Sequence, residues 1–385
     1  MTDLIHVITP GDHYSPRTGS ATSTVVHGLA SAAADDASST WAQFVVLDAT
    51  TMRPRYDSAA AIEVAPAQAP PRGERLADVA RGRIGLSRSA VARYYGPAVD
   101  AVVGRRPSVV LAHNAPVVPW LLRDSPHRVV LYAHNDLLRT FSRSESARML
   151  GDVAAIVCVS ESLADRTRRQ LPQQLARRVH VVRNGVDGTA FSPGPAPERP
   201  SSDGRLRVLF AGRMVREKGA DVLVRAAGLL GRDDLEFTVV GSQGFDRNAS
   251  PSPYELELRR AASQSGARIG FEPFVDRSRL PELLRTADIL VVPSRWADPC
   301  PLTVGEGLAT GLPVVASRIG GIPEIVGPTS RLVPPDDPAA LAAALAELAD
   351  DPALRTRVGA EGREWALAHD WSWSWSNLRG ILEAL

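Results

Sequence analysis

The stretch LRVLFAGRMVREKGADVLVRAAGLL (206–230) decides the fold. A short, mostly apolar run ends at Gly212, a charged turn carries Arg213 and Lys218, and a helical pattern follows. A strand that stops at a Gly-bearing turn and runs into a helix is the first half of a βαβ unit. Outward to the C-terminus, EFTVVGS (236–242), ARIGFEP (267–273), ILVVPS (289–294), PVVAS (313–317) and SRLVPP (330–335) repeat the theme. Toward the N-terminus, LIHVIT (4–9), QFVVLD (43–48), SVVLAHN (108–114), RVVLYAHN (128–135), AAIVCVS (154–160) and RVHVVRNG (178–185) do the same, with helical patterns at 20–34 and 161–171 between them. These runs are β-branched and lack strict polar alternation, as parallel strands covered on both faces do. The reading is α/β, with two doubly wound Rossmann-like domains facing a cleft where the strands' carboxyl ends bind ligands.

A chain of 385 residues exceeds the roughly 250–300 residues at which single cores stop growing. The Pro-, Ser- and Gly-rich stretch 188–205 reads as a linker between domains 1–187 and 206–368. Residues 369–385 carry three tryptophans, and this C-terminal helix is expected to return to the N-terminal domain. The net charge of +1 argues against a nucleic-acid partner, and the Arg-rich region 72–106 reads as a solvated helical face, with peripheral membrane contact the lesser reading. No run approaches about 18 apolar residues, so no span is expected. The opening MTDLIHVITPGD reads as a core strand and not as a signal peptide. Cys158 and Cys300 stand outside any metal-ligand spacing, so neither zinc nor a disulfide framework is expected, and the location is expected to be cytoplasmic.

Two clusters carry chemistry. In the first, Arg213 and Lys218 precede a helix N-terminus, whose free N–H groups and dipole already favour anions; the pair suits a diphosphate. Lys218 is the only lysine among 44 basic residues. Where arginine serves everywhere else, a retained ammonium points to a specific contact, although a solvated capped loop has the same composition. The second cluster is PSRWADPCPLTVGEGLATGLPVVASRIGGIPEIVG (293–327). A helix is expected to begin near Leu302, with Glu306 inside it and Asp298 in the loop before. A carboxylate accepts from vicinal hydroxyls, so Glu306 suits a ribose and Asp298 a sugar, against the plainer reading of a cap and a surface acid. His113 and His134 both end apolar strands, and both can be read as core histidines.

Together the clusters resemble glycosyltransferase family 4, retaining enzymes of the GT-B fold. The matching residues are NGVD (184–187) with Phe191, GRMVREKG (212–219), VVGS (239–242), GFEPFV (270–275), and the 293–326 run; VLYAHND (130–136) and VCVSESLA (157–164) are similar to corresponding N-terminal segments. The run WxDPCPLTVxEGLxxG looks most like spore-coat and surface-polysaccharide glycosyltransferases. The resemblance implies an acceptor-binding N-terminal domain and a C-terminal domain that holds a nucleotide-sugar donor. It implies that Arg213 and Lys218 bind the diphosphate and act in catalysis, that Glu306 is the second acid of the family's E-x7-E motif and holds the ribose, and that Asp298 replaces the first Glu, one methylene shorter. His134 resembles the active-site histidine near the donor's 6-position. Gly19 and Ser20 resemble the Gly-rich loop under the diphosphate, without its usual double Gly. Gly241, Phe274, Pro301, Leu302 and Thr303 fall in the donor-binding segments.

The implied reaction moves a hexose-type sugar from UDP or another nucleoside diphosphate to a hydroxyl of a glycan, glycolipid or natural product, with retention and with no cofactor or metal. No D-x-D triplet marks a metal-bridged diphosphate. The rival readings are a pyridoxal-phosphate phosphorylase using Lys218, a nucleotide-sugar epimerase, and a catalytically silent nucleotide-sugar-binding module.

Overall fold

The computed structural model describes residues 2–194 and 204–385. The chain divides into two units, Met1–Asn184 with Trp371–Leu385, and Gly185–Asp370.

In the first unit β1 (Thr2–Val7), β2 (Trp41–Asp48), β3 (Ala60–Val64), β4 (Val109–His113), β5 (Arg128–Ala133), β6 (Ala155–Cys158) and β7 (Val179–Val181) form one parallel sheet in the order β3-β2-β1-β4-β5-β6-β7. Every residue of β4 and β6 is buried, as continuous apolar runs demand of strands covered on both faces. The edge strand β3 has no counterpart in the sequence reading. Three of its five residues are exposed, so AAIEV lacks the apolar density that marks the inner strands. The order reverses between β1 and β4, the switch point where open α/β sheets leave a crevice at their carboxyl ends.

The last helix, Trp371–Glu383, packs on the helix Ala21–Asp35. Gly28 admits the Trp371 ring, Trp375 is 2% exposed and donates from Nε1 to Asp36 Oδ2 at 3.0 Å, and Arg379 reaches the same oxygen at 2.6 Å. An indole that is buried yet hydrogen-bonded anchors a terminal helix well, and truncating such a side chain costs about 3–5 kcal/mol.

In the second unit β8 (Leu206–Ala211), β9 (Leu235–Val240), β10 (Ile269–Glu272), β11 (Ile289–Val292), β12 (Val314–Ser317) and β13 (Arg331–Val333) form a parallel sheet in the order β10-β9-β8-β11-β12-β13. Alternate side chains feed two cores. Val208 and Phe210 pack on one face of the sheet, while Leu209 joins Leu290, Val304 and Val314 on the other. The order reverses between β8 and β11. The stretch read as a linker, 188–205, begins inside this unit: Phe191 is 3% exposed in its core. Residues 195–203 of that stretch lie outside the described residues. Among the described residues no helix is long and apolar enough to cross a membrane.

Candidate functional site

The second unit's switch point gathers the first cluster. The chain leaves β8 at Gly212, whose N–H donates to Val240 O at 3.0 Å, and a one-turn 3-10 helix, Arg216–Lys218, leads to the helix Ala220–Leu230. Gly219 joins the two at φ +73°, and a Cβ there would stand 1.9 Å from Pro293 O. Only glycine lets this turn press against the end of β11. The two loops are also tied by Arg295 N donating to Glu217 O at 2.9 Å.

That contact brings the lone lysine to the second cluster. Lys218 Nζ lies 2.5 Å from Asp298 Oδ2, and it sits 6.0 Å over the Trp296 ring. The Asp298 side chain is 6% exposed and the Lys218 side chain 21%. Gly321 N donates to Asp298 O at 2.8 Å, so the Gly-Gly turn after β12 holds the acid's backbone. Arg213 is exposed and forms no ion pair among the described residues.

The helix Leu302–Ala309 begins at Pro301, with Leu302 and Thr303 in its first turn and Glu306 on its buried side. Glu306 pairs with Arg277 Nη2 at 2.5 Å, and its side chain is 3% exposed. Arg277 belongs to the one-turn helix Arg277–Arg279, which follows β10, and its guanidinium lies 5.5 Å over the Phe191 ring. The sequence reading passes over Arg277. Its signal is weak: an arginine just past a strand's carboxyl end, in a chain with arginine throughout. Gly241 closes β9, with its N–H on Glu272 O at 3.0 Å, and Phe274 N donates to Ser242 Oγ at 3.2 Å. Asp298 with Lys218, and Glu306 with Arg277, are thus two acid–base pairs at the carboxyl ends of this sheet. Ligand oxygens can exchange for either member.

In the first unit Ser20 caps the helix Ala21–Asp35, accepting from Ser23 N and donating to Asp12 Oδ2 at 2.7 Å, while Gly19 beside it is exposed. Burial raises the Asp12 carboxyl above its ordinary range. His134 follows β5, 8% exposed. It is one of three imidazoles in a row. His6 Nδ1 lies 2.9 Å from His113 Nε2, and His113 Nδ1 lies 2.8 Å from His134 Nε2. Burial holds His6 down at about 4 and His134 at about 3, and His113 falls well below the ordinary histidine range, with its two neighbours adding to the effect of burial. All three are neutral near pH 7. Tyr132 lies parallel to His134, with ring centroids 4.8 Å apart.

Known proteins are similar to this chain in sequence and in fold. Residues 49–189 match the family model for Glycosyltransferase Family 4, and residues 196–365 match the model for Glycosyl transferases group 1. A D-inositol 3-phosphate glycosyltransferase of Catenulispora acidiphila is 33% identical over 249 residues, 59% of this chain and 57% of that relative. Spore coat protein SA of Bacillus subtilis is 28% identical over 224 residues, 54% of this chain and 59% of its own. The chain therefore matches little more than half the length of these curated relatives. Among solved structures, Anabaena HepE in complex with UDP and glucose superposes with a TM-score of 0.76 over 100% of both chains at 16% identity, a likeness in fold.

Proposed function

Since this chain belongs to glycosyltransferase family 4, we propose that it moves a hexose-type sugar, with retention, from UDP or another nucleoside diphosphate to a hydroxyl of a glycan, glycolipid or natural product. The observation that carries this reading is the junction of Lys218 with Asp298 where the second sheet reverses, with the exposed Arg213, which forms no ion pair among the described residues, five positions before Lys218 in the same loop.

A diphosphate drawn to that point meets two fixed cations and the free N–H groups of the helix that starts at Leu302. As the bond from anomeric carbon to phosphate oxygen breaks, negative charge grows on the leaving diphosphate, and Lys218 and Arg213 stabilise it. The acceptor oxygen bonds to the anomeric carbon from the face the diphosphate leaves, and its proton passes to the departing phosphate. Asp298, released from Lys218, accepts from a sugar hydroxyl, and Glu306 accepts from the ribose diol. Pro301, Leu302, Thr303, Gly241 and Phe274 line the donor's path in the second unit, and Gly19 and Ser20, at a helix N-terminus of the first unit, suit a phosphate. His134 is assigned to a substrate hydroxyl. No cofactor is required in this scheme, because side-chain cations supply the charge of a metal. The reaction is placed in the cytoplasm.

The names of the relatives support glycosyl transfer, and the UDP and glucose of the HepE structure support the donor class. A panel of nucleoside diphosphates and nucleotide sugars in a thermal-shift assay, followed by product detection with mixed glycan and lipid acceptors in EDTA, tests the reading. A ligand at 100 times its Kd stabilises the fold by about 2.7 kcal/mol. Donor binding with no product from any acceptor would leave a binding module; a changed sugar without acceptor would mean an epimerase.

A further inference from the structure

The imidazole row is built into the sheet by register. Gln43 of β2 pairs with Leu4 of β1, His6 of β1 with Leu111 of β4, and His113 of β4 with Tyr132 of β5. Side chains two residues apart share a face. Gln43, His6, His113 and His134 therefore stand on one face, and each step to the next strand advances two residues toward the carboxyl edge. The staircase starts inside the sheet and ends where ligands bind in such folds. Its rings lie edge to edge. Centroids 5.2 Å and 5.1 Å apart, planes within 17° and 20°, and nitrogens at hydrogen-bond distance describe a nearly flat ribbon.

A neutral imidazole has one N–H and one lone pair, so the role of one nitrogen dictates the other. Gln43 Oε1 faces His6 Nε2 at 3.0 Å while the buried Gln43 Nε2 has no partner among the described residues; in this amide orientation His6 carries its hydrogen on Nε2 and its lone pair on Nδ1. His113 must then donate from Nε2 to His6, and His134 from Nε2 to His113. What remains is the His134 Nδ1 lone pair, which has no partner among the described residues.

We infer that Gln43, His6 and His113 are positioning residues that lock His134 in its Nε2–H form, so that His134 offers its substrate a hydrogen-bond acceptor and selects an uncharged donor group, a sugar hydroxyl, over a phosphate or carboxylate. The inference rests on the proposed function only for the identity of the hydroxyl. The polarity of the row stands on the orientation of the Gln43 amide. It also explains why His6 and His113 remain fully buried in the sheet: a single carbonyl on β2 decides what a nitrogen three strands away can recognise.

The test uses the full chain labelled with 15N-histidine, its long-range 1H–15N spectrum recorded at pH 7.5, with signals assigned by single substitutions. His6, His113 and His134 are expected all three in the Nε2–H form. His134 found with its hydrogen on Nδ1, or averaging between the two forms, overturns the inference. Gln43→Leu removes the terminal acceptor, so the His134 signals should move to averaged values, and turnover should fall roughly tenfold, the scale of one neutral hydrogen bond, with the Kd for UDP unchanged. Gln43→Glu, which only accepts while ionised, should restore both the signals and the turnover, and it keeps the test open if the leucine variant does not fold. Wild-type turnover in a folded Gln43→Leu overturns the positioning role. Correct tautomers in a chain that turns over no nucleotide sugar sink the glycosyltransferase reading and leave the locked row standing.

Discussion

Lys218, the one lysine in the chain, is the ion partner of Asp298, the acid of the loop after β11, 80 residues further on. In the proposed reaction the pair sets two demands on one ammonium: it holds the loop acid before a ligand arrives and a phosphate oxygen afterwards. Asp298→Asn separates the two roles. Removing the carboxylate leaves Lys218 uncommitted, so the affinity for free nucleoside diphosphate should hold or tighten. Turnover should nevertheless fall at least about tenfold, because the charge-assisted bond to the sugar is lost. Weakened nucleoside diphosphate binding, measured by titration calorimetry, would show that Asp298 does not compete for Lys218.

Arg277 and Glu306 form the other pair. With Glu306 2% exposed, Arg277→Ala strands a buried carboxylate, and such losses cost about 3–5 kcal/mol. The Arg277 side chain is 18% exposed, which lets water reach the site and favours the lower end. The expected outcome is a clearly lower melting temperature for Arg277→Ala and a smaller drop for Arg277→Lys. Equal melting temperatures for both variants and the wild type would mean that the pair contributes nothing to stability.

The parallel sheets were legible because buried strands read as unbroken apolar runs. All six strands of the second sheet coincide with runs recognised in the sequence, to within two residues at their ends. β3 was not, because an exposed edge strand needs no such run. For the candidate site, the loop signals at 212–219 and 293–306 could be read because local Gly and Pro spacing encodes turns. The pairing of Lys218 with Asp298 and of Arg277 with Glu306 could not, since it depends on which strands adjoin. The same holds for His6, which meets a partner 107 residues away. Composition marks it only as a polar residue in the apolar run LIHVIT; register alone makes it one end of a row.

Lys218→Arg tests the geometry of the turn. The side chain leaves a 3-10 turn that Gly219 presses against Pro293 O, and its nitrogen ends 2.5 Å from Asp298 Oδ2. A guanidinium is longer and planar, and its fork would engage Asp298 more firmly while fitting a phosphate oxygen poorly. One transition-state contact of this kind is worth about a hundred- to a thousandfold in turnover. A fall of at least about tenfold is expected, with melting temperature nearly unchanged because the ion pair survives. Turnover near that of the wild type, at saturating acceptor, would show that charge alone suffices.

The buried row also makes stability depend on pH. His6 at about 4, His134 at about 3 and His113 well below its ordinary range are all depressed by burial. The unfolded chain, with histidines near 6.5, binds more protons than the native one throughout this window. Stability is therefore complete above pH 6.5 and is lost as the pH falls toward 4. At pH 5 His6 and His134 each cost roughly 2 kcal/mol, at about 1.36 kcal/mol per pH unit, and His113 adds in the same direction. His180, depressed by burial and by Arg168, adds in the same direction. Asp12, raised by burial, acts the other way. The denaturant midpoint should thus drop steadily from pH 7.5 to 5. In His6→Gln, where an amide replaces one titrating ring, the drop should shrink by about one histidine's share, roughly 2 kcal/mol. A midpoint that stays level over this range, or a variant whose slope equals that of the wild type, would mean that the row is protonated in the native state.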